Sequence, residues 1–346
     1  MPGEQALGAG RRERLDAIQY LRAVAALMVV VHHARNADPG GWLFNPLEDY
    51  QLLARGVDVF FVISGFIMYF AARHERPREF LLKRVIRVVP LYWLATAMLI
   101  AVAAWFGDPL LRDLDAARVL QSLAFVPHYD PSGQPFPVLV PGWTLNYEMF
   151  FYLVFFVGLL GGRLLGTLNV AILGLVAAGL LVDFDGAVMR TYTHGRMLEF
   201  LAGVWLGWLH ARRRIPPALS LVGLLGFVGL LWPPRPGGFE AGTFAVAACS
   251  TLVVTGAVAL GERAPVSRVA RLLGDASYSI YLTHTILPLR AAKALWREVP
   301  LAGWPQFVGY LVFAVLVSTV VGVLAYLLFE RPVLRWLRRI WLRRSA

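Results

Sequence analysis

Apolar runs follow one another along this chain so closely that little else has room to form. Stretches with the length and hydropathy to cross a bilayer lie near residues 16 to 36, 55 to 72, 88 to 106, 143 to 160, 164 to 182, 196 to 211, 217 to 232, 241 to 260, 275 to 294 and 304 to 329. The expected fold is all-α: a polytopic transmembrane helical bundle of about ten spans, forming a single domain over residues 1 to 346 with short tails at about 1 to 15 and 333 to 346. Composition points the same way, since 58% of residues are hydrophobic and only 16% charged, with a mean hydropathy of +0.60. A bilayer, not water, is the solvent such a chain is built for.

The formal net charge of +11 raises the question of nucleic acid. The arginines, however, collect in short loops between apolar runs and form no stripe interleaved with aromatics, so orientation in the membrane explains them better. With ten crossings both termini lie on one side, and of the 33 basic residues 22 fall on that side, 10 on the other, and Arg22 within the membrane. The positive-inside rule then makes both termini cytoplasmic, in a multi-pass protein of the inner (plasma) membrane. Basic residues precede the first apolar stretch as in a signal peptide, but that stretch carries Arg22 and has no convincing cleavage site, so it reads as a retained span. Cys249 is the single cysteine and sits in an apolar run, which excludes an intramolecular disulfide and a thiolate metal cage; no metal is expected. The longest connection, roughly Gly107 to Gly142, is expected outside the cytoplasm as a cap on the outer mouth. PPRPGG at 233 to 238 and Gly161-Gly162 read as turns.

Within the first run, DAIQYLRAVAALMVVVHH, a cation and an imidazole interrupt an apolar helix. Arg22 and His33 are separated by eleven positions, which returns them to within about 20° of one face, about 16 Å apart along the axis. His32 falls roughly 80° away from Arg22, so helical geometry selects His33. An intramembrane arginine is costly unless it faces a polar cavity or an anionic partner, and the pair is expected to line one continuous polar passage opened toward the cell interior.

Other polar side chains support two readings each. In GVDVFFVISGFIMYF, Asp58 stands near the expected level of His33, either to orient its imidazole or as a carboxylate at a helix start. Ser64-Gly65 is a candidate substrate contact or a small-residue packing site. Lys83, Arg84 and Arg87 gather toward one side of a helix at the cytoplasmic rim, as a phosphate clamp or as a flank that snorkels to headgroups. Glu148, one turn inside the fourth span, is placed near His33 as a carboxylate supporting a general base. Trp143, Tyr147 and Tyr152 are interface aromatics, the first two also candidates for stacking on a sugar at the mouth. Arg196 and Glu199 are spaced to neutralise one another, with Glu199 also a candidate substrate contact. Tyr281 and His284 share a face of the ninth span, where a histidine is often a helix-to-helix hydrogen bond and here is also a candidate substrate contact. Glu330-Arg331-Pro332 reads as a salt-bridged helix end. His33 and Asp38 satisfy an H-x4-D spacing that recurs easily by chance, and no G-x-S-x-G elbow, P-loop, H-E-x-x-H or G-x-G-x-x-G is present.

Six segments taken in order, LDAIQYLRAVAALMVVVHHA, GVDVFFVISGFIM, FLLKRVIRVVPLYW, PGWTLNYEMFFY, RMLEFLAG and SYSIYLTHTIL, resemble the acyltransferase-3 family of integral membrane acyltransferases, particularly its exopolysaccharide O-acetyltransferase branch. The resemblance implies a ten-helix fold that takes an acyl group, usually acetyl, from cytoplasmic acyl-CoA and delivers it to an extracytoplasmic acceptor, often a sugar hydroxyl of a polysaccharide or lipid-linked glycan. It implies that Arg22 and His33 are the family's essential pair and that Arg84 and Arg87 meet CoA. No soluble esterase-like domain of the kind some members carry is visible, so transfer is expected to be completed by the membrane unit. A transporter or flippase for a glycan or lipid-linked sugar, with Arg22, Glu148 and His284 along its path, is the competing reading. A sensor whose polar residues serve assembly is a third.

Overall fold

A computed structural model describes residues 15–35, 43–47, 52–231 and 239–342. Asp38, the turn at 233–238, nearly all of the expected N-terminal tail and the last four residues lie outside them. The described residues contain helices and no strand: α1 (Asp16–Arg35), α2 (Gly56–Ala72), α3 (Pro77–Phe106), α4 (Ala116–Leu123), α5 (Trp143–Leu160), α6 (Leu164–Leu181), α7 (Ala187–Tyr192), α8 (Met197–Arg212), α9 (Ser220–Leu231), α10 (Phe239–Leu260), α11 (Arg268–Asp275), α12 (Ser277–Thr283), α13 (Pro288–Trp296), α14 (Gly303–Ala325) and α15 (Arg331–Leu342). Helices satisfy their own backbone groups, the condition hydrocarbon imposes.

Among the described residues seven helical stretches are long and apolar enough to cross a membrane: Asp16–Arg35, Leu53–Ala72, Pro77–Phe106, Val140–Leu160, Leu164–Leu181, Gly242–Leu260 and Gly303–Trp341. The other three expected spans take different forms. α8 has 16 residues, about 24 Å at 1.5 Å per residue. α9 has 12. The ninth stretch is not one helix: α12 ends at Thr283 and α13 starts at Pro288. Proline has no N–H to give and its ring clashes with the carbonyl four residues back, which here is that of His284. Leu289 N–H reaches the His284 carbonyl instead, at 3.1 Å, and the chain turns.

Two more boundaries shift for local reasons. α3 begins at Pro77, eleven residues before the apolar run, because proline suits a first turn and Lys83 to Arg87 continue the helix outward. The expected tail from 333 is helical through Leu342, joined to α14 by a π turn over Tyr326–Glu330 just ahead of Pro332, which cannot donate into the ladder.

α2 and α8 cross in intimate contact. A Cβ at Gly65 would lie 2.0 Å from the Phe200 carbonyl oxygen, and one at Gly203 2.1 Å from that of Val62, so only glycine permits this approach. The packing reading of Gly65 holds, while its neighbour Ser64 faces a cavity. An aromatic core joins α2, α3, α5 and α8, with Phe61 on Phe200 at 4.5 Å, Phe151 on Phe200 at 4.7 Å and Phe80 on Phe155 at 4.7 Å between ring centroids. At the Arg22 end, α11 is clasped to α1 by Arg271 Nε on Asp16 at 2.9 Å and by the Tyr20 hydroxyl, which donates to the Pro265 carbonyl at 2.8 Å.

Candidate active site

The face of α1 that carries Arg22 and His33 looks into the bundle, but each side chain enters a different cavity. Arg22 lines one of about 160 Å³ together with Ser64, Arg84, Arg87, Glu148, Tyr152 and Tyr278. His33 lines one of about 400 Å³ with His32, Gln134, Trp143, Asn146, Tyr147, Arg190, His194 and Arg196. Val57 and Tyr281 border both. The single continuous passage expected from the helical wheel is therefore two chambers with a shared wall. Tyr281 is pinned in that wall: its hydroxyl donates to the Pro141 carbonyl at 2.8 Å and lies 3.0 Å from Thr144 Oγ1.

In the first chamber the charges are arranged side by side. Glu148 Oε1 accepts from Ser64 Oγ at 3.2 Å and from the Tyr152 hydroxyl. Arg22 Nη1 donates to Gln19 Oε1 at 3.3 Å. Arg84 packs its guanidinium over the Phe80 ring at 5.6 Å, and its Nε is buried with no hydrogen-bond partner, a donor that an anionic ligand would satisfy. Arg87 forms an ion pair with buried Glu330, which also accepts from Ser279. Lys83 turns out of the cluster to Glu75 at 2.9 Å and Glu79 at 3.6 Å. Of the three cations expected to share one side, Arg84 and Arg87 border the chamber and Lys83 does not; Glu75 in the α2–α3 turn and Glu79 in the first turn of α3 take it instead. Glu330 is more than a helix end, being the counter-ion of a chamber-lining arginine.

The second chamber centres on His33. Its Nδ1 lies 3.0 Å from the Val29 carbonyl oxygen and 3.1 Å from His284 Nε2. A carbonyl only accepts, so Nδ1 carries the proton and Nε2 keeps the lone pair. Neither carboxylate expected to support the imidazole does so. Glu148 faces Ser64 and Tyr152 on the Arg22 side of the wall. Asp58 is turned toward α8, with Arg196 Nε at 3.5 Å and Arg55 Nη1 at 3.9 Å. Rotation of a side chain toward a neighbouring helix was not readable from the sequence. Arg196 and Glu199 do not simply neutralise one another: Arg196 sits between Asp58 and the Trp143 ring, 5.0 Å from its centroid, while Glu199 is fully buried and its two oxygens have no hydrogen-bond partner.

Aromatic and amide groups furnish the rest of this chamber. Trp143 and Tyr147 are in its wall, and the Gly133–Phe136 segment of the long connection borders it. Buried Asn146 presents an unpartnered Oδ1. His194, between α7 and α8, accepts from the Arg196 backbone N–H through Nδ1 at 3.0 Å, which places its proton on Nε2. Burial, then the charges of Arg196 and Arg190, lower this imidazole to about 3, so it stays neutral. Asn146, His194 and the His284 partnership were not singled out from the sequence. Asn146 and His284 lie within the NYE and SYSIYLTH segments, and His194 stands two residues ahead of RMLEFLAG. Among the described residues no group of three His, Cys, Asp or Glu side chains is placed to hold a metal.

A family model described as an acyltransferase domain matches residues 15–323. The exopolysaccharide production protein ExoZ of Rhizobium meliloti (strain 1021) is 43% identical over 300 residues, covering 83% of this chain and 91% of the relative. The putative membrane-bound transacylase BcsY of Komagataeibacter xylinus is 27% identical across 93% of this chain and 82% of its own. The putative peptidoglycan O-acetyltransferase YrhL of Bacillus subtilis (strain 168) is 26% identical across 90% of this chain and 54% of its own. No solved structure matches. An intramembrane arginine and histidine on one helix, each opening into its own chamber of an all-helical bundle, are thus the centre of a chain that belongs to the acyltransferase-3 family of membrane acyltransferases.

Proposed function

We propose that this protein is a membrane-embedded O-acyltransferase that moves an acyl group, acetyl in the simplest case, from cytoplasmic acyl-CoA to a hydroxyl of an extracytoplasmic or lipid-linked polysaccharide in the inner (plasma) membrane. The observation that carries the reading is the division along α1, with a guanidinium in one chamber, an imidazole with a free Nε2 in the next, and Val57 and Tyr281 bordering both. The excess of basic residues on the side of the termini turns the Arg22 chamber toward the cytoplasm. Arg22 and Arg84 there hold the anionic donor, with Arg87 steadied by Glu330. The Trp143, Tyr147 and Asn146 surfaces of the opposite chamber suit a sugar, in keeping with relatives named for exopolysaccharide production and peptidoglycan O-acetylation.

In this reading the acceptor oxygen attacks the thioester carbonyl while its proton passes to His33 Nε2. A C–O bond forms, the C–S bond breaks, and the proton is returned to the departing CoA sulfur. Inside-out vesicles supplied with radiolabelled acetyl-CoA test this, with label expected in a carbohydrate ester. His33→Ala is expected to fold and to lose transfer by about 100-fold or more, and Arg22→Ala to raise the KM for acetyl-CoA. Transfer at the wild-type rate by His33→Ala would refute the mechanism. Two chambers with a common wall also suit a transporter of alternating access, and that reading requires glycan flux with no acetyl-CoA consumed.

A further inference from the structure

His284 touches neither donor nor acceptor chamber, yet it is completely buried and its ring lies 4.9 Å from that of His33, tilted by 52°. Three features hold it there. The break before Pro288 ends α12 at this point. Tyr281, three residues back, is fastened to Pro141. Gly322 of α14 lets α12 approach so closely that a Cβ would meet Ile280 Cα at 2.5 Å. The contact from His284 Nε2 to His33 Nδ1, at 3.1 Å, is thus made by rigid elements.

The proton inventory gives the contact a direction. His33 Nδ1 already faces the Val29 carbonyl, an acceptor, so the hydrogen on Nδ1 is shared between that carbonyl and His284 Nε2. His284 Nε2 is then unprotonated, and the His284 proton resides on Nδ1, a buried atom with no hydrogen-bond partner. Two acceptors on one nitrogen fix both the tautomer and the ring plane of His33. They also favour the imidazolium that forms when Nε2 takes a proton. A carboxylate does this work in other triads; here a neutral imidazole does it without the cost of burying another charge.

We propose that His284 is the positioning residue of His33, acting through an Nε2 acceptor that holds the His33 proton on Nδ1 and leaves Nε2 as the base. The proposal rests on the acyl-transfer reading above. A purely structural hydrogen bond between helices would affect melting and not turnover.

The test compares His284→Leu, His284→Gln and His284→Asn in the full-length protein, each assayed for transfer from radiolabelled acetyl-CoA and for thermal melting. A glutamine carbonyl reaches the Nε2 position; an asparagine carbonyl falls short of it. The expected result is a fall in kcat of about 100-fold for Leu and Asn, with the KM for acetyl-CoA within about threefold, and a fall for Gln of no more than about 10-fold. If Leu does not fold, the Gln to Asn ratio decides. Equal rates for Gln and Asn, a loss confined to KM, or a Leu variant at the wild-type kcat would overturn the proposal. A wild-type protein that transfers no acyl group, or a fully active His33→Ala, would instead defeat the acyl-transfer reading itself.

Discussion

Lys83 and Arg87 are one helical turn apart and end on different carboxylates, Lys83 on Glu75 and Glu79, Arg87 on Glu330. Such partners decide whether a cation is available to a ligand. Removing the Glu330 charge leaves the half-buried Arg87 guanidinium without its counter-ion, so Glu330→Gln is expected to destabilise the fold by about 2 kcal/mol, read as a lower melting temperature in detergent. Outside the membrane the same reasoning has a pH signature. Asp108 accepts from the Leu110 N–H and pairs with Arg290, and these partners hold its carboxyl below the ordinary value of 3.8. A group whose folded value is depressed contributes stability above its unfolded value and loses it as the pH falls through the folded one. Melting should therefore decline on acidification below 3.8, and Asp108→Asn should reduce that decline. The helical wheel was enough to place Arg22 and His33 on one face, because both lie on one helix and 100° per residue is a fixed quantity. It was silent on Glu148, Asp58 and His284, whose partners lie on other helices and depend on how each is rotated.

Between elements, the narrowest tolerance is the α2 to α8 crossing. Gly203→Ala would set a methyl carbon 2.1 Å from the Val62 carbonyl oxygen, so the helices must part, at a cost of about 1–3 kcal/mol. Thermal melting of the variant measures it, and an unchanged midpoint would show that the crossing is looser than described. At this scale the apolar runs were legible: seven of the ten anticipated stretches contain helices long enough to cross a membrane. The exception of most consequence was written in the sequence as Pro288. A hydropathy window averages over proline, whereas the backbone cannot, and the result is the turn that presents His284 to His33. α3 runs beyond its apolar window, as the helical spacing of Lys83, Arg84 and Arg87 required, since those residues depress hydropathy without interrupting a helix.

Taken as a whole, the molecule sets two polar chambers side by side, with the Tyr281 and Val57 side chains bordering both. Tyr281→Ala would merge them and admit water to the thioester, so hydrolysis of acetyl-CoA in the absence of acceptor is expected to rise by about 10-fold. Release of free CoA measures it; hydrolysis at the wild-type rate would mean that other side chains keep the chambers apart. The same wall bears on the cell. If donor and acceptor each stay on their own side and only an acyl group changes hands, no aqueous file ever spans the bilayer, and a cell can make this protein in quantity while its proton-motive force stays whole.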